Sequence, residues 1–391
     1  MALVRPENQQ QARLVRLLRD GPRSRVELGD LLGLSRTTLT TELDQLVARG
    51  LVETAGPAAS RGGRRSSLLR LSAGVRFASV VIAADRITVA VTDGELNVLA
   101  ETGEPAEVRS GPEAVIGRAV ELVGKLRAES GVAELTGVGV ALPGPVDNGT
   151  SIAPAVLPGW QRFPVRDAFA TELGCPALVD NDANVLALGE QHAGIGRTFE
   201  DFLYLKLGTA IGCGLVLGGS LYRGATSSAG DIAHLPLDED GPTCVCGEIG
   251  CLEAYCGDAG LVKAALAAAR SGRSTALAAR NTAAGTLTVP DVAAAAIAGD
   301  PAAQTLVRDT ARRLGQVLVG LVSFFNPGIV VIGGAPDGLG HILLAEVRGV
   351  VYRRSAPVAT GTMPIVLSDL ADRAAVVGGA RLASDHVFTV D

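Results

Sequence analysis

The chain has 391 residues, a formal net charge of −6, and 47% hydrophobic but only 3% aromatic residues. That length and apolar content exclude a disordered or disulfide-stapled chain and predict two or three domains with cores of Ala, Val and Leu. With no secretory signal, transit peptide or apolar run of membrane-spanning length in view, the expected setting is cytoplasmic, with reduced thiols and no membrane partner.

The charge is unevenly spread. Residues 1–70 hold twelve Arg against seven Asp or Glu, so a basic head sits on an acidic body. This asymmetry predicts nucleic acid at one end and a different ligand elsewhere.

Within the head, Leu14, Leu17 and Leu18 share one face of a helix predicted over Gln9–Arg19, which stops before Gly21-Pro22. Ser24 is placed to cap a short helix carrying Val26, Leu28, Leu31 and Leu32, Gly33 makes the turn, and Ser35 caps a third helix running through Ala48. The inward face of that third helix is Leu39, Leu43 and Leu46. Ser35, Arg36, Thr37, Thr40 and Thr41 are left facing outward, where short hydroxyls and a guanidinium reach phosphates and base edges in a DNA major groove. After Gly50, LVET begins a strand and RGGRRSSLLRL returns as the second arm of a hairpin wing. Arg61, Arg64 and Arg65 fall at its tip, suited to phosphates or a narrow minor groove. Residues 1–72 are therefore predicted to form a winged helix-turn-helix that binds double-stranded DNA.

From residue 76 onward, apolar strand runs alternate with helical stretches: ASVVIAA, ITVAVTD, a helix over 111–129, GVGVALPG, ALVD, a helix from Asn184, FLYLKLG and GCGLVLGG. A long helix at about 300–325 precedes GIVVIGG. The alternation predicts an α/β body.

One cluster stands out in HLPLDEDGPTCVCGEIGC. His234, Cys244, Cys246 and Cys251 offer one imidazole and three thiols in under twenty residues, a donor set suited to tetrahedral zinc with no position left for water. A disulfide between Cys244 and Cys246 is disfavoured by their one-residue spacing, and glycines at 247 and 250 permit a tight turn. The predicted role is structural. Cys175, Cys213 and Cys256 read as buried thiols.

The ordered series ALPGPV (141–146), VDNDAN (179–184), LGTAIGCG (207–214), AGDIAH (229–234), CVCGEIGCLEAY (244–255) and VIGG (331–334) resembles the ROK family of repressors and sugar kinases. The resemblance covers nearly the whole chain. It implies an actin-like, two-lobed sugar-kinase fold related to ribonuclease H, with one lobe at approximately 76–183 plus the C-terminal segment and a second at 184–370 carrying the zinc loop. It also implies a sugar pocket in which Gly144, Asn181, Asp182, Asp231, His234 and Glu253 line the wall, Asp182 standing where kinases place their base. Read alone, Asn181-Asp182 equally suits an Asx turn or helix cap.

Two departures bear on activity. The family's kinases carry an Asp, two glycines and a threonine after the first body strand; here Ala83 to Ile87 occupy that turn, with Arg86 and Ile87 expected to fill phosphate space, and Ala210 replaces a glycine in GTAIG. ATP use and catalysis are thus not expected. Asp231 stands where glutamate is usual, and APAVLPGW (153–160) lacks an asparagine, which bears on the choice of sugar. The function expected is a ligand-responsive repressor of carbohydrate-related genes, binding a palindromic operator as a homodimer or homotetramer. The rivals are a sugar kinase with a DNA-binding head and a constitutive regulator with a vestigial pocket.

Overall fold

The computed structural model describes residues 5–57, 67–152, 157–336 and 338–390. The head opens with α1 (Gln9–Arg19), β1 (Arg23–Ser24), α2 (Arg25–Leu32) and α3 (Arg36–Ala48), followed by β2 (Val52–Pro57) and β3 (Ser67–Leu71). Each helix start is explained by its cap. Asn8 accepts from the Gln11 N–H, Ser24 and Glu27 form a reciprocal capping box, and Ser35 accepts from the Thr38 N–H at 3.2 Å. Gly33 closes α2 at φ 64°, a left-handed turn that favours glycine.

Only one stripe of α2 is covered. Leu28 is buried, but Val26 and Leu31 are 64% and 55% exposed. A helix of two turns presents one narrow stripe to its neighbours, and Val26 lies about 200° around the axis from Leu28. β3 lies between β1 and β2 in an antiparallel sheet, with a bulge between Thr54 and Gly56. The two arms of the expected wing are thus present. Its tip, with Arg61, Arg64 and Arg65, lies outside the described residues.

The body begins with β4 (Arg76–Ile82), β5 (Arg86–Asp93), β6 (Val98–Pro105), α4 (Pro112–Glu129) and β7 (Gly137–Leu142). Then come the short pair β8 (Val146–Asp147) and β9 (Thr150–Ser151), α5 (Val165–Leu173), β10 (Ala177–Asn181) and α6 (Asp182–Ala193). The second half contains β11 (Phe202–Lys206), β12 (Gly212–Leu217), β13 (Ser220–Leu221), α7 (Leu252–Cys256), α8 (Asp258–Arg270), α9 (Thr275–Ala284), α10 (Val289–Ile297) and α11 (Pro301–Phe325). It ends with β14 (Ile329–Gly333), α12 (Gly340–Arg354), α13 (Pro357–Thr360), β15 (Ile365–Leu367) and α14 (Arg373–Val387).

Two five-stranded sheets share one plan. In the first the order is β10-β7-β4-β5-β6, with β10, β7 and β4 parallel and β5 and β6 antiparallel. In the second, β15-β14-β11-β12-β13 repeats that order and that split. This repeat is the two-lobed, sugar-kinase-like arrangement, and it places the carboxyl ends of the parallel strands around a cleft, where open α/β sheets bind ligands.

Helices α6 and α14 lie between the lobes, and glycines let them approach closely. A methyl group at Gly139 of β7 would overlap the Gly379 carbonyl of α14, and one at Gly378 would overlap the Val185 carbonyl of α6. The head core of Leu14, Leu18, Leu43 and Leu46 continues into Phe77 of β4 and into Ala380, Ala383, Val387 and Phe388 at the end of the chain. Phe77 and Phe388 meet edge to face at 5.9 Å. Among the described residues, no helix is long and apolar enough to cross a membrane.

Candidate ligand cavity and metal cluster

All six residues singled out for ligand contact line one cavity of about 110 Å³. Gly144, Asn181 and Asp182 come from the first-lobe side; Asp231, His234 and Glu253 come from the irregular loop after β13 and from α7. Ser227, Ser228 and the Ala210–Gly212 turn complete the wall, and the sequence reading had not singled out the two serines.

Asn181 combines its two readings. It is the N-cap of α6, its Oδ1 accepting from the Ala183 N–H at 2.9 Å, while its Nδ2 donates to the Gly144 carbonyl at 3.0 Å. The capping role fixes the amide, and the second bond ties the glycine turn to the helix start. Behind it, buried Asp180 accepts from the Asn181 N–H and the Asn184 amide at 2.8 Å each, and from Arg223 Nε at 2.7 Å. This network holds the wall without reaching into the cavity, and Asp180 lies within the quoted VDNDAN run.

Asp182 is the first residue of α6, and its Oδ2 accepts from Lys206 Nζ at 2.7 Å. Lys206 was not anticipated, although it is the single charged residue of β11. Glu253 is 8% exposed, and its Oε2 accepts from the Ile211 N–H at 2.9 Å. Burial pushes its carboxyl above the usual value, opposed by the Ile211 bond and the nearby His234. The GTAIG turn is therefore held by a cavity acid as well as by the β11–β12 hairpin. Asp231, by contrast, is exposed.

The turn after β4 is a tight antiparallel connection, with the Ala83 N–H donating to the Arg86 carbonyl at 2.9 Å. Arg86 and Ile87 do not occupy it as expected. Ile87 is buried in the first-lobe core and the Arg86 guanidinium lies beside Gly103, because strand alternation directs them away from the bend. What the turn lacks is the paired glycines that would let a phosphate approach its backbone. A larger opening of about 900 Å³, lined by Lys206, Gly208, Asp258, Gly333, Gly334 and His341 among others, lies on the other side of Lys206.

His234, Cys244, Cys246 and Cys251 bring their donor atoms within 4.8 Å of one another. Cys246 Sγ lies 3.8 Å from Cys251 Sγ, and Cys244 Sγ lies 3.6 Å from His234 Nδ1. A tetrahedral ion with metal–sulfur bonds of about 2.3 Å and a metal–nitrogen bond of about 2.0 Å has edges of about 3.8 and about 3.6 Å, so the donors fit such an ion. Local backbone geometry assembles them. The Cys244 N–H donates to the Glu248 carbonyl and Gly247 turns at φ 94°, so the chain doubles back between the second and fourth donors. The other thiols are buried as expected, and burial pushes Cys175 up to about 11 and Cys213 and Cys256 up to about 12, which leaves them protonated and unreactive.

On the head, Ser35, Arg36, Thr37, Thr40 and Thr41 are all exposed, while Leu39, Leu43 and Leu46 are buried. The outward polar face expected of α3 is present.

Comparison with known proteins follows the same division of the chain. The xylose repressor of Caldicellulosiruptor bescii is 27% identical over 360 residues, covering 91% of this chain and 90% of the repressor, so the match includes head and body. A crystal structure of a ROK family transcriptional regulator, a homologue of the Escherichia coli MLC protein, superposes with a TM-score of 0.81 over 97% of this chain and 95% of that one; at 22% identity it shows the fold. The ROK hexokinase of Thermus thermophilus, 31% identical with a TM-score of 0.63, covers 80% of this chain and 99% of its own. The ROK family profile matches residues 77–386, and the chain belongs to the ROK family.

Proposed function

We propose that this protein is a sugar-responsive, DNA-binding transcriptional repressor. The observation that carries the reading is the pairing, in one chain, of an exposed Arg36–Thr41 face on a three-helix head with five polar side chains and Gly144 gathered in one body cavity. The full-length similarity to a xylose repressor supports it, and favours a sugar of that size class as effector. Residues 1–72 form the DNA-binding unit. Arg36, Thr37 and Thr41 contact bases or phosphates, Ser35 and Thr40 flank them, and Arg61, Arg64 and Arg65 add phosphate contacts. The remainder from residue 76 is the effector-binding body, working in the cytoplasm as a homodimer or homotetramer on a palindromic operator.

In the cavity, Asp182, Asp231, Glu253 and the Asn181 amide meet sugar hydroxyls, which present donors and acceptors together. His234, Cys244, Cys246 and Cys251 hold a structural zinc, whose dication keeps the thiolates ionised and fixes the loop. Because Asp231 lies three residues before the ligand His234 and Glu253 two residues after the ligand Cys251, zinc also shapes the cavity wall. Sugar weakens operator binding only by preferring one lobe arrangement over the other.

The test is to map bound DNA, then to measure operator mobility shifts with and without D-xylose and a hexose panel. Sugar-dependent release supports the reading; operator binding that no sugar alters favours the constitutive regulator. Asp182 and the larger opening favour a kinase as second reading. Asp182-dependent turnover of ATP with magnesium and a hexose would overturn the non-enzymatic assignment.

A further inference from the structure

Lys206 ends β11 of the second lobe, and Asp182 begins α6 directly after β10 of the first. Because α6 packs against β11 and β12 of the second lobe, Asp182 stands at the junction of the lobes, and the ion pair ties that junction to the end of β11. Lys206 Nζ also donates to the Ala210 carbonyl at 3.1 Å, and the two side chains are only 16% and 13% exposed. Asp182 and Ala210 line the cavity, whereas Lys206 lines the larger opening, so the ammonium stands in the wall between them. Among the described residues lining either opening, Lys206 is the only Lys or Arg.

The cavity itself carries three carboxyl groups, on Asp182, Asp231 and Glu253. Left alone, such a set attracts a protonated amine as readily as a hydroxyl. With Oδ2 of Asp182 in contact with Lys206 Nζ, a ligand donor to either Asp182 oxygen sits beside the fixed ammonium. A neutral hydroxyl meets no penalty there; a second ammonium meets like-charge repulsion in a poorly solvated place.

We propose that Lys206 is a specificity-determining residue that makes the cavity select neutral sugars over protonated amino sugars. This rests on the sugar reading of the cavity.

The test uses zinc-loaded, full-length protein and titration calorimetry with D-xylose, D-glucose and their monoamino-monodeoxy derivatives at about pH 6, where the amines are protonated. Wild type should bind the neutral sugar at least about tenfold more tightly than its amino derivatives. Lys206→Met should narrow or invert that ratio, and Lys206→Arg should keep it, with zinc content and melting temperature verifying the fold. A folded Lys206→Met protein that retains the wild-type preference overturns the proposal. Should Lys206→Met not fold, wild type alone decides: raising the pH to about 9 neutralises the ligand amine and should bring the amino sugar's affinity toward that of the neutral sugar. An affinity gap unchanged by pH, or no gap at about pH 6, overturns the proposal. If wild type binds neither class of sugar, the sugar reading itself fails and this inference goes with it.

Discussion

The Arg19 guanidinium on the last turn of α1 lies 2.6 Å from the Asp385 carboxylate on the last turn of α14, and the Arg19 side chain is 3% exposed. Arg381 grips the same carboxylate at 2.9 Å, and Ser384 accepts from Arg19 at 3.1 Å. Because α14 also packs against α6, whose first turn lines the cavity, one helix joins the head to the elements that would hold the ligand. Burial works against the Asp385 charge, but Arg19 and Arg381 outweigh it and hold its carboxyl below the usual range.

Arg19→Met should destabilise the protein by about 1–3 kcal/mol, less than the range for a fully buried pair, because Asp385 keeps Arg381 and is partly exposed. Urea unfolding measures this. A loss within experimental error of zero would mean that the buried link contributes nothing.

His192, at the end of α6, gives a pH signature. Burial, reinforced by Arg381 and Arg19, lowers its pKa to about 4, so its 3.8 Å approach to Asp20 joins a neutral ring to a carboxylate. Unfolded, the same ring titrates at about 6.5. Between those values the unfolded chain holds a proton that the folded protein lacks, so stability rises with pH across that window and is lost on acidification, by up to about 1.4 kcal/mol per unit. Subtracting His192→Gln from wild type in urea midpoints taken across the window should isolate that slope. A flat difference would refute a neutral buried His192.

Cys246→Ser removes one of four donors and should lower zinc affinity by more than about 100-fold, read by competition with a chelating dye and by metal analysis. Sugar affinity should fall with it, since His234 and Glu253 share the wall. A metal-free variant that still responds to sugar would separate the two.

Replacing both Arg64 and Arg65 with Ala should weaken operator binding and lower the slope of log affinity against log salt by about 1.8, on the basis of about 0.9 per phosphate contact. Arg36→Ala should instead reduce discrimination between operator and altered sites by about 1–3 kcal/mol. An unchanged slope for the first variant, or uniform weakening for the second, would reassign these side chains.

Much of this molecule is written locally. Ser24 and Ser35 cap helices because their side chains reach backbone N–H groups three residues on, and the three thiols converge because glycine turns bring positions 244 to 251 back on themselves. Short-range geometry needs no knowledge of the rest of the chain. Which apolar residues of α2 are covered is, by contrast, not local, since the buried stripe of a two-turn helix depends on its neighbours: Leu28 is buried and Val26 exposed.

By itself, then, the sequence determined the three helices and the two strand arms of the head, the alternating strands and helices of the body, the cluster of four soft donors and the six residues that line one cavity. Only the tertiary structure decided how those parts meet. Asn181 serves as cap and wall together, Lys206 closes on Asp182 at the junction of the lobes, and Arg19 finds Asp385 across 366 residues. The physical reason is that charge pairs and close helix contacts carry no periodicity or spacing along the chain; they arise when two lobes and a head close on one another, and the cost of leaving a buried charge unpaired then selects the partner.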